Sequence, residues 1–367
     1  MAEPTETDAE KVKRLARWQR LGLAMLFLGG VAIVGFGVFV WSGLYNISAK
    51  SDHWRPTDWI IAQLRDRSIA TRADAIDVPN LKEPGLAQLG AEHFRNGCAT
   101  CHGEPGLEKN PVYANMLPEP PDLSHVRNSY DVSELFWIIY HGLKYTGMPA
   151  WPGRGRDDEV WPLVALLQHL DENGAESYRE LITSSGSSNC ARCHGDESAS
   201  PISDLVPVLN GQSAEYLERA LREYRAGKRQ SGMMAPLAHA MTTAEIKRVA
   251  QFFSRLSQPE VETRSDADDN VIQSGEVLAH HGDLREGVPS CQSCHASTNP
   301  QYPDLAGQPK KYLFKQLQLF ARGGRQTTGY GSIMTVIAER MSEQDMRAAA
   351  AYYAAMPALK RGAQRDE

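Results

Sequence analysis

Three short stretches of this sequence carry residues able to do chemistry. They are Cys98-Ala99-Thr100-Cys101-His102, Cys190-Ala191-Arg192-Cys193-His194 and Cys291-Gln292-Ser293-Cys294-His295. In a Cys-x-x-Cys-His run, two thiols one helical turn apart can form thioether bonds to one porphyrin, and the histidine that follows can ligate its iron. A lone Cys-x-x-Cys could equally hold zinc or cycle as a dithiol. Here all six cysteines lie in the three motifs, and each pair is followed by a histidine. No cysteine pair remains near any motif to close a four-ligand zinc site, and none remains for a structural disulfide. Cys98, Cys101, Cys190, Cys193, Cys291 and Cys294 are therefore read as attachment points for three covalent haem c groups. His102, His194 and His295 are read as their proximal iron ligands.

A low-spin electron-transfer haem needs a sixth ligand, and a methionine thioether opposite histidine raises its reduction potential. Most of the eleven methionines serve packing, so position must select the ligands. Met148 lies in Thr146-Gly147-Met148-Pro149-Ala150-Trp151, an irregular loop before a helical pattern. Met334 lies eight residues before Ser342, and Met234 eight before Thr242. Both Ser342 and Thr242 read as helix caps, so this register favours Met234 over Met233. Met241 and Met341 adjoin the caps and read as core. His141, His239, His280 and His281 are competing ligands whose simpler reading is surface or structural. Pro207, Pro303 and Pro121 follow the motifs at positions where a carbonyl can accept the proximal histidine's second N–H.

These residues need helices to hold them. Each motif sits in the same order: a helix, the motif, a looping stretch with proline, a methionine, then a closing helix. Gly85 to Asn96 is the first opening helix, with Gly90 four residues before Phe94. Gly174 and Tyr178 repeat that spacing, whereas Gly275 is followed by Ala279, which predicts a different contact there. The closing helices carry apolar positions three and four apart: Val160, Val164, Leu167 and Leu170 after an Asp157 cap, then Ile246, Val249, Phe252 and Phe253, then Met346, Ala350 and Tyr353. No convincing alternating strand pattern appears, so the chain reads as all-α. The second and third units form a true internal repeat. Leu209-Asn210-Gly211-Gln212 matches Leu305-Ala306-Gly307-Gln308, Tyr216-Leu217 matches Tyr312-Leu313, and Gly227-Lys228-Arg229-Gln230 matches Gly323-Gly324-Arg325-Gln326.

The 367-residue length suits several domains. We expect a cytoplasmic N-terminus at 1–20, a transmembrane anchor at 21–45, a connector at 46–84, and three haem domains at 85–172, 173–260 and 268–360. No charged residue interrupts Leu21 to Ala49, and Leu21 to Trp41 alone would span roughly 30 Å as a helix. The basic cluster Lys11, Lys13, Arg14, Arg17 and Arg20 precedes the span and predicts the cytoplasmic side for the N-terminus. A cleaved signal peptide is the competing reading, but the apolar run is long and Ile47 spoils a small-residue cleavage site before Ala49. The expected location is a bacterial inner membrane with the haem domains in the periplasm. A formal net charge of -6 argues against a nucleic-acid partner.

Over roughly residues 85 to 357 the chain resembles class I cytochromes c, through the three motifs and the loop methionine and terminal helix after each. The last two units resemble tandem di-haem periplasmic cytochromes c, through Leu-x-Gly-Gln and Tyr-Leu. The first is similar to domains of the cytochrome subunits of cbb-type oxidases, through Tyr140-His141-Gly142 and Gly147-Met148-Pro149-Ala150-Trp151. The resemblance implies one-electron transfer with the ligand pairs His102/Met148, His194/Met234 and His295/Met334. It implies an electron carrier or oxidoreductase subunit more than a stand-alone enzyme. Its expected partners are the membrane, a quinol-oxidising complex or soluble cytochrome upstream, and a terminal oxidase downstream. Two alternatives are the electron-accepting subunit of a membrane dehydrogenase and a multi-haem peroxidase. The peroxidase would need an iron with an open sixth position, whereas every unit supplies a methionine.

Overall fold

The computed structural model describes residues 8–183, 190–259, 268–295 and 299–357. The ends expected at 260 and 360 for the second and third haem domains lie outside them. Helices dominate, and the described residues contain no strand, only the single bridges Asp196–Ala199 and Asp283–Val288. The all-α expectation therefore holds.

The chain divides into two compact units, Met1–Leu64 and Arg65–Glu367. In the first, one helix runs from Asp8 to Ser42. Its stretch Lys11–Ser42 has a mean hydropathy of 2.5 in its most apolar window, none of it buried. By length and composition it can cross a bilayer. Phe39, Tyr45, His53 and Trp54 gather at its end. The helix after it runs from Arg55 to Ala73, within the expected connector.

The second unit holds all three motifs. Its first core forms around the closing helix Trp161–Asn173, which is apolar on nearly every side. Leu163, Leu166 and Leu170 meet Ala91, Phe94 and Tyr178 on one face. Val160, Val164 and Leu167 meet Leu135 and Phe136 on the other. Gly90 brings the opening helix Leu86–Gly97 against this helix so closely that a Cβ there would lie 1.9 Å from the Pro162 carbonyl oxygen. Gly275, on the opening helix Asp269–His281, plays the same part: its Cβ would lie 2.1 Å from the Ala348 oxygen of the closing helix Glu343–Ala355. Ala279 needs no aromatic because Tyr352 and Tyr353 of that closing helix fill the space.

Two sequence expectations fail here. Gly174 does not sit inside an opening helix; it ends the helix Trp161–Asn173 at φ 80°, where only glycine is unstrained. Tyr178 consequently packs edge-on against Phe94 of the first core. Asp157 does not cap the first closing helix, which begins after Val160 without a side-chain cap. Asp157 instead pairs with Lys315 at 2.8 Å, an ion pair joining sequence-distant helices. The expected caps at Thr242 and Ser342 are present as reciprocal capping boxes with Glu245 and Asp345.

The internal repeat is equally visible. Gly211 N–H donates to the Phe253 carbonyl at 3.0 Å, and Gly307 N–H donates to the Tyr353 carbonyl at 2.9 Å. Gln212 and Gln308 then cross between the repeats. Gln212 Nε2 donates to Asp304 O at 2.7 Å and its Oε1 accepts from Asp304 N at 3.0 Å; Gln308 makes the reciprocal pair with Val208 at 2.8 and 3.1 Å. The Leu-x-Gly-Gln signature thus closes each repeat on itself and ties it to the other.

Candidate haem sites

Each Cys-x-x-Cys-His begins a one-turn helix: Ala99–His102, Ala191–His194 and Gln292–His295. Glycine follows the first two at φ 77° and 73°, which turns the chain away immediately after the histidine. The ring Nδ1 of His102 lies 2.9 Å from Pro121 O, that of His194 2.9 Å from Pro207 O, and that of His295 3.0 Å from Pro303 O. A carbonyl oxygen can only accept, so Nδ1 carries the proton and Nε2 keeps its lone pair. Burial also holds all three imidazoles below the ordinary histidine range, that is, neutral at pH 7. Three prolines do this one job. Proline has no N–H of its own to compete there, and its fixed φ limits the carbonyl's wander.

The cysteines are half-buried and unpaired. Burial pushes the Cys98 and Cys193 thiols up to about 12 and raises those of Cys190 and Cys291. A thiol held protonated is a poor zinc ligand and a poor dithiol reagent. Among the described residues no three His, Cys, Asp or Glu side chains gather into a metal-holding group.

The surroundings fit a haem. A cavity of about 690 Å³ is continuous between the two repeats and is lined by Cys190, His194, Met234, Cys291, His295 and Met334. Its walls are otherwise chiefly apolar. At the seam two guanidinium groups are buried, Arg229 and Arg325 at 4% and 9% exposure. They touch Tyr216, Tyr312 and Gln316 but no carboxylate within ion-pair reach among the described residues, and the Nε of each lacks a partner. Burial first, and Arg229 second, pull the Arg325 guanidinium down to about 10. Two buried cations without acids call for anions, and haem carries two propionates. These two arginines belong to the Gly-x-Arg-Gln repeat, where the sequence marks them only as matched positions.

The six methionine candidates fall differently. Met234 opens the helix Met234–Ala240, with Met233 just before it, and Met334 sits within Gly329–Ala338. Thr328 caps the second of these helices, its hydroxyl accepting from Gly331 N–H, whereas the first has no side-chain cap at its Met233 N-cap position and the Ser231 hydroxyl, two residues earlier, accepts from Met234 N–H. Met233, Met241 and Met341 also line the cavity, so lining alone does not choose among them. Met148 lies in a turn, as its sequence suggests, its N–H bonded to Thr146 Oγ1 at 3.0 Å. Trp151 of that turn and Cys98 pack on the same core cluster. Of the other histidines, His280 meets the Tyr352 hydroxyl at 3.2 Å, and His141 and His239 are exposed.

Three Cys-x-x-Cys-His motifs on units that are helical throughout their described residues, each with a neutral histidine aimed by a proline carbonyl, define a c-type cytochrome. Comparison with known proteins agrees. Residues 85–167 match the family described as cytochrome c oxidase, cbb3-type, subunit III. The thiosulfate dehydrogenase electron acceptor of Stutzerimonas stutzeri is 31% identical over 53% of this chain and 94% of its own length. Cytochrome c4 of Pseudomonas aeruginosa is 31% identical over 44% of this chain and 81% of its own. The solved cytochrome c4 of Acidithiobacillus ferrooxidans is 30% identical, covers 46% of this chain and 100% of its own, and has a TM-score of 0.42. The chain belongs to the cytochrome c family. It is an electron-transfer protein, and its cofactors are three haem c groups, one at each Cys-x-x-Cys-His.

Proposed function

We propose that this chain is a membrane-anchored periplasmic relay that passes single electrons through three haems in a respiratory chain, to or within a terminal oxidase. The haems supply the one-electron chemistry when bound. The protein attaches them through Cys98/Cys101, Cys190/Cys193 and Cys291/Cys294, with axial pairs His102/Met148, His194/Met234 and His295/Met334. The observation that carries this reading is the union of all three motifs in one compact unit, Arg65–Glu367. Within it the second and third sites share one cavity, and that cavity is also lined by His93 and Glu159 from the first unit of the sequence. Three domains of 85–172, 173–260 and 268–360 then work as one conduit, with the helix at 21–45 as anchor. Anchoring confines the carrier to the surface where its partners sit and so raises their effective concentration.

The oxidase assignment draws support from the family match of residues 85–167. A second reading, electron acceptor of a dehydrogenase, draws support from the name of the Stutzerimonas stutzeri relative. Purification in mild detergent separates them: a copper–haem oxidase should co-purify. A quinoprotein, flavoprotein or other dehydrogenase in its place would overturn the oxidase reading. A potentiometric titration of the same material should resolve three one-electron centres; fewer would overturn the relay.

A further inference from the structure

The turn that carries Met148 and the segment that carries Met234 meet at one buried carboxylate. Glu159, 6% exposed, stands between them. Its Oε2 accepts from the Trp151 indole N–H at 3.1 Å and from the Gly232 N–H at 2.6 Å, and its Oε1 accepts from the Ser231 hydroxyl at 2.5 Å. Ser231 Oγ in turn accepts from Met234 N–H at 2.8 Å and Met233 N–H at 3.2 Å. Trp151 is three residues after Met148, and Ser231 is three before Met234. The carboxylate thus reaches both segments at equal remove from the methionines.

The surroundings admit little slack. A Cβ at Gly232 would lie 2.2 Å from the Trp151 ring, and one at Gly153 would lie 2.7 Å from Gly232 N. Arg156 pairs with Glu159 Oε1 at 2.8 Å and with Asp158 at 2.9 Å, and its Nη1 donates to Gln230 O at 3.0 Å. Lys315 closes the group on Asp157 and Asp158. A buried carboxylate with a cation and three donors is a strong, directional anchor.

We infer that Glu159 is a positioning residue that locks the methionine segments of the first and second haem sites into one element, so that the two sites adjust together while the third does not. This rests on the methionine ligation proposed above. The lock acts through hydrogen bonds, so a change that leaves every charge in place should release it.

The test uses the full-length holoprotein in detergent, with Met148→Ala, Met234→Ala and Met334→Ala assigning each methionine-methyl NMR signal and each potential to its haem. Glu159→Gln and the charge-neutral Ser231→Ala should each move the signals of the first two haems and leave the third in place. Cyanide should then displace methionine at those two sites roughly tenfold faster, the scale of one lost hydrogen bond to a charged group. Unchanged signals and cyanide rates in both variants would overturn the inference alone. So would a shift confined to one haem, or an equal shift in all three. A shift with Glu159→Gln but none with Ser231→Ala would reduce the role to electrostatics and also overturn it. If Met148→Ala and Met234→Ala themselves leave cyanide binding unaltered, the ligand assignment falls first.

Discussion

A histidine can ligate a haem iron only when its ring is neutral, correctly tautomeric and aimed; burial keeps His102, His194 and His295 neutral, and one proline carbonyl sets the tautomer and direction of each. At the methionines proposed as sixth ligands, single substitutions speak most clearly. Met148→Ala, Met234→Ala and Met334→Ala should each remove methionine ligation from one haem and lower that haem's potential, read by spectroscopy and redox titration. Met233→Ala should leave the second haem's ligation intact; loss of ligation there instead would reverse the register assignment. Arg229 and Arg325 predict a different effect. A buried cation favours the reduced, less positive iron, so Arg229→Gln should lower the potentials of the second and third haems by on the order of 1 kcal/mol. Unmoved potentials would show that the arginines do not face the cofactors.

At the scale of helices, close packing decides. At Gly90 and at Gly275 an opening helix touches the backbone of its closing helix. Alanine at either should force the pair apart and cost roughly 1–3 kcal/mol, seen as a lower Tm and reduced haem content. Thr242→Ala removes a capping box and should cost about 1 kcal/mol. His93 adds a pH dependence. It is buried on the opening helix Leu86–Gly97, its Nδ1 bonded to the Glu159 carbonyl at 2.9 Å and its ring against Trp151. Burial, partly opposed by that hydrogen bond, lowers its pKa to about 4. Below pH 6.5 the unfolded chain takes up a proton that the folded site refuses. Stability is therefore full above pH 6.5 and falls toward pH 4, by on the order of 3 kcal/mol in all. Thermal unfolding at pH 7 and pH 5 checks it: His93→Asn should show a smaller drop than the parent. An equal drop would place the acid sensitivity elsewhere.

At the scale of the whole molecule, the same short signatures recur where the chain returns to the same geometry. The apolar helix Lys11–Ser42 predicts that the full chain stays in the membrane pellet through an alkaline wash. Recovery of a soluble, shortened form would mean that the segment is processed. Much was legible in the residues alone. The Cys-x-x-Cys-His runs declare their chemistry because thioether attachment and iron ligation require those side chains at that spacing. The repeat and its caps were legible because a capping box is a local event over four residues. The sequence misplaces Gly174 and Asp157 and leaves the contact at Ala279 open for a common reason. Whether a glycine ends a helix or lets one approach, and whether an acid caps its own helix or pairs with Lys315, depends on neighbours far away in the chain. The Glu159 cluster left no mark in the sequence, since it joins Trp151, Glu159 and Ser231 across some seventy positions. Local covalent and helix-start chemistry is thus written into the order of residues. The sharing of one cavity by two haem sites, and the meeting of two methionine segments at one carboxylate, come only from long-range packing, because buried charge must find its partners in three dimensions.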